Sequence, residues 1–275
     1  GLPNKTLNIA LAGTGVGKSL FMCHVASSCL LQGRNVLYIT CEMAEEKIAE
    51  RIDANLLDIP IQQLQDPLLT KQKYRAKMDV LKKKTQGKLV IKEYPTASAH
   101  VGHFKALLNE LSLKKGFHPE IIFVDYLNIC ASSRYKGTIV NSYTYVKAIA
   151  EELRGLAGEY NVPILSATQT TRSGYGNSDV EITDTSESFG LPATADLMIA
   201  LISTEDMEGL NQIMVKQLKN RYNDPTVYKR FVLGIDRQKM RLYDCEQGAQ
   251  DDIIDAGDTP KSFTDTKKSF EGFKI

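Results

Sequence analysis

Short apolar runs alternate with longer amphipathic stretches along most of the chain. Runs at Leu7–Leu11, Asn35–Thr40, Lys88–Glu93, Glu120–Val124 and Pro163–Thr168 are rich in Ile, Val and Leu and end at turn residues, which predicts strands. Between them, Lys18–Leu31, Ala44–Leu57 and Asn141–Tyr160 read as helices. The last places Val146, Ile149, Ala150, Leu153, Leu156 and Ala157 at helical spacing, and the first stops at Gly33. This alternation predicts an α/β fold: a mostly parallel central sheet flanked by helices on both faces. Beyond Asp196 the pattern changes. Leu197–Ile202, Gln212–Leu218, Phe231–Ile235 and Met240–Tyr243 follow one another with short connections, which predicts added C-terminal strands, partly antiparallel. Ala131–Val140 and Thr170–Asp184 are long polar connections, a length associated with function.

Composition narrows the class. The 275 residues are 43% hydrophobic and 24% charged, as in a globular protein with a sizeable core. No apolar run nears the ~20 residues that cross a bilayer. Five cysteines without a Cys-x-x-Cys argue against a disulfide scaffold or zinc site and point to a reducing cytoplasm. The chain opens Gly1-Leu2-Pro3 without Met or a signal pattern, so a fragment or processed product is expected. Asp244–Pro260 holds six acidic residues and no basic one, so residues 244–275 are expected to form a disordered acidic tail after a body of residues 1–243. That tail hides a mildly basic body with 30 basic against 25 acidic residues, within a total net charge of +1.

The strongest chemical signal is Ala12-Gly13-Thr14-Gly15-Val16-Gly17-Lys18-Ser19, followed by Leu20, between a predicted strand and helix. A phosphate chain wrapped by backbone N–H groups demands small residues with unusual backbone angles. Lys18 then reaches β- and γ-phosphates, Ser19 offers a hydroxyl to Mg²⁺, and the helix adds its positive end. Ala12 stands where this Walker A pattern usually has Gly. Ile121–Asp125 is an apolar strand ending in a carboxylate, the Walker B pattern, with Asp125 as a second Mg²⁺ holder. Glu42, at the end of the next strand after the Walker A helix, is placed to polarise an attacking water, or else to cap the following helix. Gln169 ends the fifth strand, where it can register the γ-phosphate and pass that state to the loop from Thr170.

This ordered set resembles the RecA-like motor domain of DnaB-type replicative helicases, and its wording is closest to those of T-even-type phages. Glu42-Met-Ala through Arg51, Asp125-Tyr-Leu, Ser166-x-x-Gln169, Ser186 to Asp196 and Lys216-Gln-Leu-Lys219-Asn-Arg221 carry the likeness, which covers about Gly1 to Tyr243. The resemblance implies a RecA-like P-loop NTPase fold, ATP (or another NTP) with Mg²⁺, translocation on single-stranded DNA, and nucleotide sites between subunits of a hexameric ring. It implies that Arg221 is an arginine finger and Lys219 its companion, acting on the neighbour's nucleotide. Primase and a helicase loader are the implied partners, in the host cytoplasm. Two long loops stand where that family binds DNA, with Arg134, Lys136, Gly137, Arg172 and Gly174 as candidate contacts and Tyr135 or Tyr175 able to stack on a base. Ser186 departs from the Arg usual there. A RecA-type recombinase and a nucleotide-dependent switch without translocation are the alternatives.

Other features read as structural. Lys71–Lys92 holds nine basic residues and one acid, as a solvated helical face does. His100 and His103 read as helix-surface residues, and Cys23 and Cys29 as small core residues.

Overall fold

The structure is a computed structural model that describes residues 1–64, 71–135, 140–170, 180–185 and 190–245. Gly1–Asp244 forms one compact unit. Its nine described strands make a single sheet: β1 (Leu7–Ala12), β2 (Val36–Thr40), β3 (Leu89–Glu93), β4 (Ile121–Asp125), β5 (Ile164–Gln169), β6 (Leu197–Ile202), β7 (Gln212–Asn220), β8 (Arg230–Asp236) and β9 (Arg241–Asp244). Their order is β3-β2-β4-β5-β1-β6-β7-β8-β9. The first six run parallel and the last three antiparallel, as the pattern predicts.

Both faces of the sheet are covered, so its central strands are apolar throughout. Along β2, Leu37 and Ile39 enter one core and Val36 and Tyr38 the other, the alternation a pleated strand imposes. The first core is packed by α5 (Val101–Lys115) and α6 (Ser142–Tyr160), which supply Phe104, Leu108, Val146, Ile149, Leu153 and Leu156. The second is packed by α1 (Lys18–Leu31) and α2 (Glu45–Leu57), with Met22, Cys23, Ala26, Ile48 and Ile52. The Asn141 side chain caps α6 by accepting from the Thr144 N–H at 2.8 Å, and Asn161 ends it in the left-handed conformation.

Several boundaries differ from the sequence expectation for local reasons. Ala44 and Asn141 flank their helices rather than open them. The basic stretch from Lys71 does not form one helix: α4 spans Lys71–Lys84, and Lys92 lies in β3. His100 is the N-cap of α5 rather than a residue within it. Its Nδ1 accepts from the Gly102 N–H at 3.0 Å, and His103 Nδ1 accepts from the His100 N–H at 3.2 Å. Two short helices, α3 (Ile61–Leu64) and α8 (Glu205–Gly209), and α7 (Gly190–Thr194) carried no periodic signal of their own. Cys23 is buried and Cys29 half-buried, both against the second core.

Candidate functional site

The parallel strands end on one edge of the sheet. Ala12 of β1 is level with Gln169 of β5, and Thr40 of β2 with Asp125 of β4. The glycine loop, Glu42, Asp125 and Gln169 therefore share the carboxyl ends of four adjacent strands, where open α/β sheets bind ligands. Gly15 and Gly17 have φ of 81° and 121°, backbone that a side chain would strain. No side chain caps α1, and no acidic residue occupies its first turn, so its N–H groups and dipole remain open to an anion. Lys18 Nζ donates to the Gly13 carbonyl at 3.1 Å and the Ala12 carbonyl at 3.5 Å. Burial pushes the Lys18 pKa down, against the opposing pull of Glu42 and Asp125.

Asp125 is fully buried. Its Oδ2 accepts from the Tyr38 hydroxyl at 2.9 Å, and the Tyr38 ring stacks on Phe123 with centroids 5.5 Å apart. Its Oδ1 has no hydrogen-bond partner among the described residues. Burial pushes the carboxyl up, and the hydroxyls of Tyr38 and Ser19 hold it down. An orphaned carboxylate oxygen beside a hydroxyl, in a dry place, fits a divalent cation. Mg²⁺ takes one or two protein ligands with phosphates and waters completing its shell, so this pair suffices without a cage of acids.

Glu42 is exposed just past β2 and is presented by a tight turn. The Thr40 hydroxyl donates to the Met43 carbonyl at 2.8 Å and accepts from the Met43 N–H at 3.1 Å. The Cys41 N–H between them donates to the Asp125 carbonyl at 2.8 Å, which ties the Glu42 turn to the end of β4. Glu42 does not cap α2; Ala44 holds the cap position.

A cleft of about 300 Å³ joins Thr14, Gly15, Gly17, Lys18, Ser19 and Leu20 to Glu42 and Gln169. Of the other loop residues, Gly13 offers its carbonyl to Lys18, and Val16 packs against the core beside α1. The cleft also includes Arg51, Arg237 and Met240, for which the sequence pattern predicts no role. Arg51 belongs to α2 and pulls the Asp125 carboxyl down. Arg237 and Met240 belong to the β8–β9 turn, which no periodicity ties to the glycine loop. That turn is pinned to α2: Asn55 donates to the Met240 carbonyl, and Asp58 pairs with Arg241 at 2.8 Å and Lys239 at 3.1 Å.

Lys219 and Arg221 do not line this cleft. Leu197 of β6 is level with Asn220 of β7 and with Asn8 of β1, which puts them near the start of β1, not its end. Lys219 is the penultimate residue of β7 rather than beyond it. At ~3.3 Å per residue, about 16 Å of strand separates Leu7 from Ala12. One chain therefore cannot bring Arg221 to the phosphate end of its own cleft.

Of the DNA candidates, Arg134 is placed. It follows β4 by a segment anchored to α6, where the Ser132 hydroxyl donates to Glu152 at 2.6 Å. The Arg134 guanidinium pairs with Glu151 at 2.5 Å, so any phosphate competes with that carboxylate. Tyr135 lies near Tyr145, with centroids 6.5 Å apart. Lys136, Gly137, Arg172, Gly174, Tyr175 and Ser186 lie outside the described residues, as do residues 246–275. No helix among the described residues is long and apolar enough to cross a membrane.

Known proteins share this architecture. The family model for the DnaB-like helicase C terminal domain matches residues 1–230. A DnaB-like replicative helicase of Enterobacteria phage T4 is 46% identical over 248 residues, 90% of this chain and 52% of that protein. The replicative DNA helicase DnaB of Helicobacter pylori is 26% identical over 73% of this chain and 40% of its own length. The chain thus spans about half the length of these curated relatives. A solved DnaB-like replicative helicase, determined with its primase interactions, superposes with a TM-score of 0.73 at 17% identity over 90% of this chain and 59% of that one. The fold is RecA-like, and the chain belongs to the family of DnaB-like helicase C-terminal domains.

Proposed function

We propose that residues 1–243 are the ATP-hydrolysing motor of a ring-forming replicative DNA helicase, with residues 244–275 as an acidic appendage. The observation that carries this reading is the separation of the two halves of the site. Lys18, Ser19, Glu42, Asp125 and Gln169 gather at one edge of the sheet, while Lys219 and Arg221 stand at the opposite end of β1. A complete site then requires two chains head to tail, an arrangement that closes into a ring.

The loop N–H groups and Lys18 bind the phosphates of ATP or another NTP. Ser19 and Asp125 hold Mg²⁺, which neutralises charge on the β- and γ-phosphates. Glu42 orients the attacking water and takes its proton, a role worth about 10²–10⁴-fold. Arg221 of the next subunit, with Lys219 beside it, stabilises charge developing on the γ-phosphate, worth about 10³-fold or more. Gln169 reports the γ-phosphate to the following loop. Arg134, Lys136, Gly137, Arg172 and Gly174 face single-stranded DNA in the pore, where modest charge per subunit sums around the ring. The primase interactions of the solved DnaB-like helicase support primase as a partner; a helicase loader and the host cytoplasm complete the proposal.

A mixing experiment tests the reading. Full-length Glu42→Gln and Arg221→Ala proteins each lose ATP turnover. Mixed with single-stranded DNA, they recover part of it, because some interfaces pair an intact Glu42 with an intact Arg221. Co-assembly without recovery refutes a shared site.

A further inference from the structure

Arg221 is held by a carboxylate that it shares with a second arginine. Its Nε pairs with Asp196 Oδ1 at 3.0 Å, and its backbone N–H donates to the Asp196 carbonyl at 2.9 Å. Arg154, on α6, forks onto the same carboxylate, with Nε to Oδ2 at 3.0 Å and Nη2 to Oδ1 at 2.9 Å. The Leu7 N–H also donates to Oδ2, at 3.0 Å. Asp196 is fully buried at the foot of β1 and β6. Arg221 remains 39% exposed, so its outer edge faces outward while its Nε edge is anchored.

We propose that Arg154 is a positioning residue for Arg221, acting through Asp196; this deepens the shared-site reading and rests on it. One carboxylate carries one negative charge. With Arg154 on both of its oxygens, that charge is neutralised, and the positive charge of Arg221 is left for an anion brought by the neighbouring chain. The geometry is fixed as well. Nε is tied to Asp196, and Nη2 donates to the Ala193 carbonyl at 3.2 Å. Lys219 is set beside it by the Pro192 carbonyl at 2.5 Å and the Ala193 carbonyl at 3.4 Å. Without Arg154, the whole charge of Asp196 falls on Arg221. The guanidinium is then drawn inward and electrostatically cancelled. Arg154 does not line the cleft of its own chain, so the effect is on the neighbour.

The test uses the full-length protein with single-stranded DNA. Arg154→Gln removes the charge and the fork; Arg154→Lys keeps the charge alone. The expected result for Arg154→Gln is a kcat lower by about 10- to 100-fold, the scale of a misplaced catalytic group, with KM for ATP within about 2-fold of the original. Arg154→Lys falls between the two. Added to Arg221→Ala, Arg154→Gln produces no further loss, because the group it positions is already absent. Mixing with Glu42→Gln subunits restores turnover, because those subunits supply intact Arg154 and Arg221. A merely structural lesion worsens the Arg221→Ala protein and is not rescued by mixing. Normal turnover in Arg154→Gln, an additive loss, or failed rescue where Arg221→Ala is rescued overturns the proposal and leaves the shared site standing. Normal turnover in Arg221→Ala removes both.

Discussion

Gln169 donates its Nε2 hydrogen to the hydroxyl of Tyr126 across 3.2 Å. The tip of β5 is thereby tied to the residue directly after Asp125. Next to it, the Thr168 hydroxyl donates to Asn128 at 2.8 Å. The candidate γ-phosphate sensor and the segment leading to Arg134 are thus one hydrogen-bonded unit. Tyr126→Phe removes the link without touching the cleft. It should leave ATP affinity unchanged and reduce the stimulation of ATPase by single-stranded DNA by several-fold, as judged against the intact protein. Gln169→Ala should abolish that stimulation. Full stimulation in both variants sinks the coupling.

The buried Asp125 trades stability against its proposed role in holding Mg²⁺. Burial raises its carboxyl pKa, so its ionised form is disfavoured in the folded chain. Such a group contributes stability that is present at acid pH and lost as pH rises through the folded pKa. At neutral pH, Asp125→Asn should therefore raise the melting temperature of the nucleotide-free, metal-free protein, while hydrolysis of Mg·ATP disappears. Thermal melts with and without Mg·ATP check both halves. The variant should gain less from Mg·ATP than the intact protein does, since Lys18 and the loop N–H groups remain.

His24 on α1 predicts an opposite pH effect. Its Nδ1 accepts from the Leu242 N–H at 3.3 Å and lies 3.1 Å from Asn55 Nδ2, joining α1, α2 and β9. Burial first, and then Arg241, pushes its pKa below 6.5. Neutral His24 therefore contributes stability in full above about pH 6.5, lost as pH falls through the depressed value. Urea midpoints should drop as pH falls below about 6.5, and drop less in His24→Gln. Identical slopes in the two proteins would exclude His24 as the cause.

Arg134 and Glu151 make a competition that salt can read. Glu151 holds the guanidinium at 2.5 Å. Arg134→Ala should weaken single-stranded DNA binding without regard to sequence. It should also lower the log–log salt slope by about 0.7 for each phosphate that the arginine no longer neutralises. Glu151→Ala should tighten binding by freeing the cation. A Glu151→Ala protein that binds more weakly contradicts this placement.

The core gives a magnitude to compare with these. Leu153 is fully buried on α6 among residues from several strands. Leu153→Ala should cost about 2–5 kcal/mol in chemical denaturation, through reduced burial and the cavity left behind.

Much of this was legible along the chain, because strands and helices announce themselves by periodicity and the glycine loop by composition. Lys18, Ser19, Glu42, Asp125 and Gln169 could be named because each ends or follows an apolar run, and a parallel sheet sends all such ends to one edge. Arg51, Arg237 and Met240 could not be so named. They reach the cleft from α2 and from a turn more than two hundred residues after the loop, through packing that leaves no local pattern. Likewise, the capping geometry of His100 and His103 rests on helix ends that periodicity resolves only to within a residue or two.

The elements, the parallel sheet with its antiparallel extension, and the glycine-rich loop can all be read along the chain, since spacing of apolar residues and glycine backbone freedom are local properties. That Arg221 stands at the far end of β1 from that loop, and that Arg154 and Arg221 share Asp196, emerges from the folded chain alone. Strand direction and order set those distances. They follow from which buried faces pack together across 40 to 190 residues of chain, which no local window of the sequence records.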